Sequence, residues 1–492
     1  FSSSLQILRV TDEERRELFF TQDKLRNLIY VYFITPPEKN TPLFLEVTYR
    51  GKLSPPIPTT DIVEGQVVAD HGTIIYSPRF ETFFFTQNAN WYPAPPKEDY
   101  FTFRLKIVIP PEYNCVASGQ FVERGRWEGM EDIAEIEKAG STIYVFETAQ
   151  PVKYMAFIIG KFDRQKEAAD PLPIQTFVSS EVMSVSQNLF EKTRDILEYY
   201  ISTFGPFPYD KLGIVLRTWP TTGGHSPPSF IVLNEMRWGE QMEFPLRLDT
   251  PVSLFNYEEY FLAHEIAHQW WGHGVSFATY RDQWLSEGLA QFASASYLIK
   301  KYGERAKTDI LRKFSRWTVK KAVKGPINLG ARLSYYDYEA YQAIVYNKAA
   351  LALMMLRDMI GEEAFLRGLR GFFETYTYRA ARTTNFIQAM EDASGRDLRN
   401  FFQNWFYSYE LPEVRTAVTS EKTEDGFLLK IRLSQGQRRF EFPLWIEWTS
   451  GGETFRRMVI VTDSVQDFAI PTAEKPGSVR INPLRAVPGK FH

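Results

Sequence analysis

Two histidines and the glutamate between them carry the clearest chemistry in this chain. They lie in Leu262-Ala263-His264-Glu265-Ile266-Ala267-His268-Gln269-Trp270-Trp271, an otherwise apolar run. Residues four apart on a helix leave the same face one turn apart. His264 and His268 can therefore direct two ring nitrogens at one zinc ion, at about 2.0–2.1 Å each. Glu265 sits out of phase with them. It is placed to act as a base toward the attacking water rather than as a ligand. A catalytic zinc site needs a third protein ligand and leaves its fourth position open. The same motif also arises by chance on solvated helices. Here three of six histidines (His264, His268 and His273) crowd into ten residues, and Leu262, Ile266, Trp270 and Trp271 surround the pair, which a solvated face would not show.

Further along, Asp282-Gln283-Trp284-Leu285-Ser286-Glu287-Gly288-Leu289-Ala290 reads as the start of a second helix, with eighteen residues separating His268 from Glu287. The pair H-E-I-A-H-Q-W-W-G and W-L-S-E-G-L-A resembles the gluzincin zinc metallopeptidases of the aminopeptidase N family. The resemblance implies one Zn²⁺ held by His264, His268 and Glu287, with Glu265 as general base. It also implies a tyrosine that stabilises the tetrahedral intermediate, within a Y-x-K-G/A pattern. Tyr346-Asn347-Lys348-Ala349 fits that pattern. Tyr335, Tyr336, Tyr338 and Tyr341 lie nearby, and composition alone does not choose among them.

Aminopeptidases of this family carry G-x-M-E-N upstream of the zinc helix. Its glutamate binds the substrate's free amino group. Gly223-Gly224-His225-Ser226-Pro227 occupies the matching place, with Ser226 where the glutamate would be. A hydroxyl cannot form the ion pair an ammonium wants, and Pro227 removes a backbone N–H. Gly223, Gly224, His225 and Ser226 are thus substrate-binding candidates in a degenerate motif, and Glu81 is an alternative carboxylate for the amine. Gln291 lies four residues after Glu287 and is a candidate to hold His264 or His268 through a ring N–H. His273, beyond the glycines that end the helix, is not expected to be a ligand.

The elements that must position these residues follow from pattern. Residues 1–177 read as a β domain: Leu43–Tyr49, Phe101–Ile109, Ile143–Glu147 and Tyr154–Ile159 look like strands, the second with clear alternation. Residues 178–410 are richer in helix. A helix is expected over Val182–Phe204 and a short strand over Ile214–Leu216. A zinc helix is expected to be capped by Asn256 and Glu259 and stopped by Gly272 and Gly274. A second ligand helix should run from Gln283 to Tyr302, ended by Gly303. The basic run from Arg305 to Lys324 reads as a solvated face. Residues 411–492 return to strands at Phe427–Leu433 and Phe440–Trp448. The fold class expected is α+β. By resemblance, a thermolysin-like catalytic domain is flanked by an N-terminal β saddle domain, incomplete at its start, and a small C-terminal β-sandwich.

Composition narrows the alternatives. At 492 residues, with 44% hydrophobic and 24% charged residues, core size is not limiting. A net charge of −3 offers nothing to a nucleic acid, and a single Cys115 excludes an internal disulfide. No apolar run is long enough to be a transmembrane segment. Phe1 begins without Met or a leader, so a trimmed chain with a tether in a missing N-terminal part is expected. A secreted, periplasmic or membrane-tethered extracellular location is favoured over a cytoplasmic one. The function expected is zinc-dependent hydrolysis of peptide substrates, aminopeptidase N-like. An endopeptidase or exopeptidase with altered end recognition, an epoxide hydrolase, and a non-catalytic zinc module of a larger membrane-associated protein remain as alternatives.

Overall fold

The computed structural model describes residues 1–38, 42–53, 75–77, 82–94, 99–126, 141–168, 172–180, 182, 188–218, 223–235, 250–252, 254 and 257–492. Its elements are strands at the N-terminal end, helices in the middle and sheets at the C-terminal end, a mixed α+β arrangement. The chain divides into two compact units. One comprises Phe1–Leu189 and Tyr209–Pro245, the other Phe190–Pro208 and Leu246–His492.

Within the first unit, Arg104–Ile109 pairs with Thr142–Glu147, which in turn pairs with Gln120–Arg126. Ile107 and Ile109 alternate inward against Cys115, Tyr144 and Phe146, as a period of two requires. The strand starts at Arg104 rather than Phe101. Phe101 makes only an isolated bridge to Val152, and the Phe103 N–H goes to the Thr148 hydroxyl. Two other strands are shifted toward their C-terminal ends, to Glu46–Gly51 and Phe157–Gly160.

A five-stranded sheet runs in the order Phe162–Ala168, Ile174–Ser179, Leu212–Thr218, Phe230–Glu235, Gly223–His225. The three inner strands are parallel and the two outer ones antiparallel to their neighbours. Leu212–Thr218 is buried at every position. A strand with parallel neighbours on both sides and both faces covered shows no alternation, so only its apolar centre stood out in the sequence.

The second unit takes in α1 (Leu189–Phe204) from its second residue on, followed by α2 (Tyr260–Ala267) and α3 (Trp284–Lys321). Of α2's eight residues all but Phe261 are buried, as expected of a helix apolar all round. Among the described residues no side chain caps it. Glu259 stands at its N-cap with helical backbone angles, and Asn256 lies outside the described residues. The Glu259 carboxylate accepts from the Tyr302 hydroxyl at 2.7 Å and pairs with Lys301 at 3.1 Å, adding negative charge where the helix dipole is positive. The Tyr200 hydroxyl of α1 donates to the Ala263 carbonyl at 2.9 Å, and the Trp270 indole donates to the Gly205 carbonyl. These bonds hold α2 against α1. The long α3 is broken at Gly303, where φ is +70°, at the position the sequence suggests for its end. The following basic stretch is partly neutralised, with Lys321 pairing with Asp337 and Glu339.

After α3 the chain forms the short helix α4 (Tyr338–Tyr341), a π-helical turn over Gln342–Lys348, and α5 (Ala349–Ile360). Two C-terminal sheets follow. In one, Gly426–Gln435 buries Leu429, Ile431 and Leu433; in the other, Phe442–Ser450 buries Phe442, Leu444 and Ile446.

Candidate metal centre and active site

The second unit brings His264, His268 and Glu287 together. One ligand atom from each lies within 4.8 Å of the others. The Nε2 atoms of His264 and His268 stand 3.6 and 3.3 Å from the same Glu287 oxygen. The imidazole rings are perpendicular, with centroids 4.8 Å apart. His268 Nδ1 donates to the Trp271 carbonyl at 3.0 Å, and the Ser286 hydroxyl is 3.2 Å from it. This fixes the ring with Nε2 turned toward Glu287, the nitrogen a metal would take once its proton is lost. Two imidazoles and a carboxylate converging at this spacing are a donor set that fits zinc.

Two glycines make the geometry possible. Gly272 has φ +124°, and a Cβ there would fall 2.6 Å from the Ser286 hydroxyl and 3.5 Å from His268 Nδ1. A Cβ on Gly288 would fall 2.6 Å from the Ala349 Cβ and 3.2 Å from the Val345 carbonyl. The residue after Glu287 must therefore be glycine for α3 to lie this close to the π-helical turn.

The electrostatics follow from burial. Burial alone would discharge His268, but the Glu287 carboxylate beside it carries its pKa up to about 9. Burial lowers that of His264. Glu287 is raised by burial yet held well below the usual carboxylate range by the charge on His268 and by hydrogen bonds from both rings. Glu265, one residue beyond His264 and also buried, is pushed up to about 7 by burial.

Tyr346 sits in the π-helical turn with its ring stacked on that of His264, centroids 5.8 Å apart and planes within 12°. Its hydroxyl pairs with that of Tyr341, and burial keeps its pKa well above 10. Tyr341 and Tyr338 are close enough to Glu287 for its charge to act on them too. Tyr335 and Tyr336 are exposed. Such turns, one residue wider than an α-turn, recur at functional sites.

Gln291 is fully buried. It accepts from the Tyr260 hydroxyl and donates to Asn347 Oδ1 at 2.9 Å. It lies beside the His264 ring and favours its charged form, while His264 Nδ1 has no hydrogen-bond partner among the described residues. The groups that hold His268 are the Trp271 carbonyl and Ser286. Sequence reasoning missed both; Ser286, directly before Glu287, was visible but carried no spacing signal. His273 stays outside the three-residue cluster.

Gly223, Gly224, His225 and Ser226 belong to the first unit. Gly223–His225 is the last strand of the five-stranded sheet, with Gly224 opposite Leu233 and His225 opposite Val232. The His225 ring packs on Phe84 at 5.5 Å. Pro227 and Pro228 are buried, and Ser229, at φ +66°, closes the turn while its hydroxyl accepts from the Gly119 N–H. Glu81 lies outside the described residues.

Residues 189–405 match the family model described as the peptidase family M1 domain. This stretch is a peptidase family M1 domain. The M1 domain carries all of His264, Glu265, His268, Glu287 and Tyr346, and zinc is the metal the family implies. The chain is 25% identical over 306 residues to a leucyl aminopeptidase of Saccharolobus solfataricus, covering 59% of this chain and 37% of that protein. It is 23% identical over 407 residues to the tricorn protease-interacting factor F2 of Thermoplasma acidophilum, covering 77% and 47%. It is 26% identical over 236 residues to aminopeptidase N of Lactococcus lactis, covering 45% and 27%. The chain thus spans less than half the length of these relatives. The fold matches that of Legionella pneumophila aminopeptidase A, solved with aspartic acid, at a TM-score of 0.73 and 17% identity, over 100% of this chain and 55% of the other.

Proposed function

We propose that this protein is a zinc-dependent metallopeptidase that hydrolyses peptide bonds in the manner of aminopeptidase N. The observation that carries the reading is the convergence of His264, His268 and Glu287 on one point, beside a buried Glu265 and a stacked Tyr346. Zinc, when bound by those three residues, supplies Lewis acidity toward water and toward a peptide carbonyl.

This chain's own groups do the rest. A Glu265 carboxyl with a pKa of about 7 is matched to taking a proton from water and returning it to the leaving amine near neutral pH. Tyr346, whose hydroxyl stays protonated at any working pH, donates to the negative charge that develops on the former carbonyl oxygen. The Trp271 carbonyl and Ser286 hold His268 in the tautomer that presents Nε2. In this reading residues 178–410 are the catalytic domain between a β domain, 1–177, and a β-sandwich, 411–492.

A second reading, an endopeptidase or an exopeptidase with altered end recognition, is favoured by one feature: Ser226 and Pro227 offer neither a carboxylate for an amine nor a full set of N–H donors. Incubation with a peptide library and mass mapping of the products separates the readings. Stepwise loss of N-terminal residues supports the first and internal cuts the second. No cleavage by the zinc-loaded protein would leave neither standing.

A further inference from the structure

Three polar side chains buried to 2% exposure or less (Tyr260, Gln291 and Asn347) form a continuous chain of hydrogen bonds behind the proposed chemistry. The Tyr260 hydroxyl donates to Gln291 Oε1, Gln291 Nε2 donates to Asn347 Oδ1 at 2.9 Å, and Asn347 Nδ2 donates to the Pro251 carbonyl at 2.9 Å. Each member is tied by spacing to a residue of the site. Tyr260 is four before His264 on α2, Gln291 is four after Glu287 on α3, and Asn347 follows Tyr346 in the π-helical turn. The chain of bonds thus joins the three elements that carry the site.

We propose that Tyr260, Gln291 and Asn347 are a positioning relay that fixes the π-helical turn, so that the Tyr346 ring is held against that of His264 and its hydroxyl is held in one place. This rests on the peptidase reading above. The bond directions leave little freedom. Asn347 gives its N–H to Pro251 and so offers Oδ1 to Gln291, whose Oε1 is then left for Tyr260. A fully satisfied buried network rigidifies its surroundings, while a broken one leaves an amide without a partner. Rigidity matters here because a donor contributes to the transition state only if it is already in place, and a displacement of about 1 Å costs on the order of 10²-fold in rate. Gln291 and Asn347 touch no reacting atom. Their effect passes through Tyr346.

The test is a double-mutant cycle on the zinc-loaded full chain. Gln291→Leu should lower kcat by about 10- to 100-fold, keep KM within about twofold and retain zinc. Tyr260→Phe, which deletes one hydroxyl and is the milder change should Gln291→Leu not fold, should lower kcat by a smaller factor in the same way. In a Tyr346→Phe background each change should cost less than about threefold more, since there is no hydroxyl left to position. An equal loss of kcat with and without the Tyr346 hydroxyl, or a folded Gln291→Leu protein with wild-type kcat, would overturn the proposal. Wild-type protein that cleaves no peptide sinks the peptidase reading separately. The relay is then decided by amide hydrogen exchange over residues 342–348. Exchange at least about tenfold faster in the relay variants supports it, and unchanged exchange refutes it.

Discussion

Replacing Lys348 by methionine should change how the protein's stability depends on pH. Lys348 is fully buried, and its Nζ donates to the Ser408 carbonyl at 2.7 Å. Burial, with a smaller contribution from the Arg438 charge, lowers its pKa from 10.5 to about 7. A folded-state pKa below the unfolded one means that between about pH 7 and 10.5 the unfolded chain binds a proton the folded chain does not. Stability therefore rises with pH across that window, by up to about 1.4 kcal/mol per pH unit. Between pH 7.5 and 9.5 the contribution of Lys348 comes to about 2–3 kcal/mol. Lys211, in the other unit, is also buried and lowered to about 7, so the wild-type protein gains from both residues and Lys348→Met keeps only the Lys211 part. Loss of the bond to Ser408 costs a roughly pH-independent 1–3 kcal/mol, which shifts the curve without changing its slope. Chemical denaturation at pH 7.5 and 9.5, read by a probe in the Lys348 unit such as hydrogen exchange in α5, gives the slope for each protein. Parallel slopes for wild type and Lys348→Met would show that Lys348 is charged in the fold and that the burial argument is wrong.

Three further outcomes are expected. Glu265→Gln should keep its zinc, because Glu265 is not a ligand, and lose about 10²–10⁴-fold in kcat; wild-type turnover in a zinc-replete variant would remove Glu265 from the chemistry. Tyr346→Phe keeps the ring on His264 and removes only the donor, so kcat and kcat/KM should fall together by about 10²–10³ with KM little changed; a raised KM at constant kcat would make Tyr346 a binding residue instead. With Ser226 in place of an amine-binding carboxylate, a peptide and its N-acetylated form should differ by a factor near about 10 rather than the 10⁴ of a site built on an obligatory polar contact; strict dependence on a free amine would mean that another acidic residue does this work.

The parts of the site that could be read from the sequence are those set by local geometry. His264 and His268 share a helix face because they are four apart, and Gly303, at φ +70°, breaks α3 where the sequence places the helix's end. What stayed hidden depends on contacts distant in sequence. Five tyrosines crowd residues 335–346, and the one that stacks on His264 is selected by a π-helical turn whose wider period no apolar pattern announces. Gln291 stood out by its spacing from Glu287, but its partners are Tyr260 and Asn347, on elements that only the tertiary fold brings near. At the start of α2 the Glu259 carboxylate is tied to Lys301 and Tyr302 on the next helix, a link that no local pattern announces.

The zinc-peptidase claim is tested most directly by stripping the purified protein of metal with a chelator and titrating zinc back while following peptide cleavage. The stripped protein should be inactive, and activity should return in proportion to added zinc and level off at one equivalent per chain. Undiminished cleavage by protein shown to contain no metal, or no cleavage at full zinc occupancy, would contradict it.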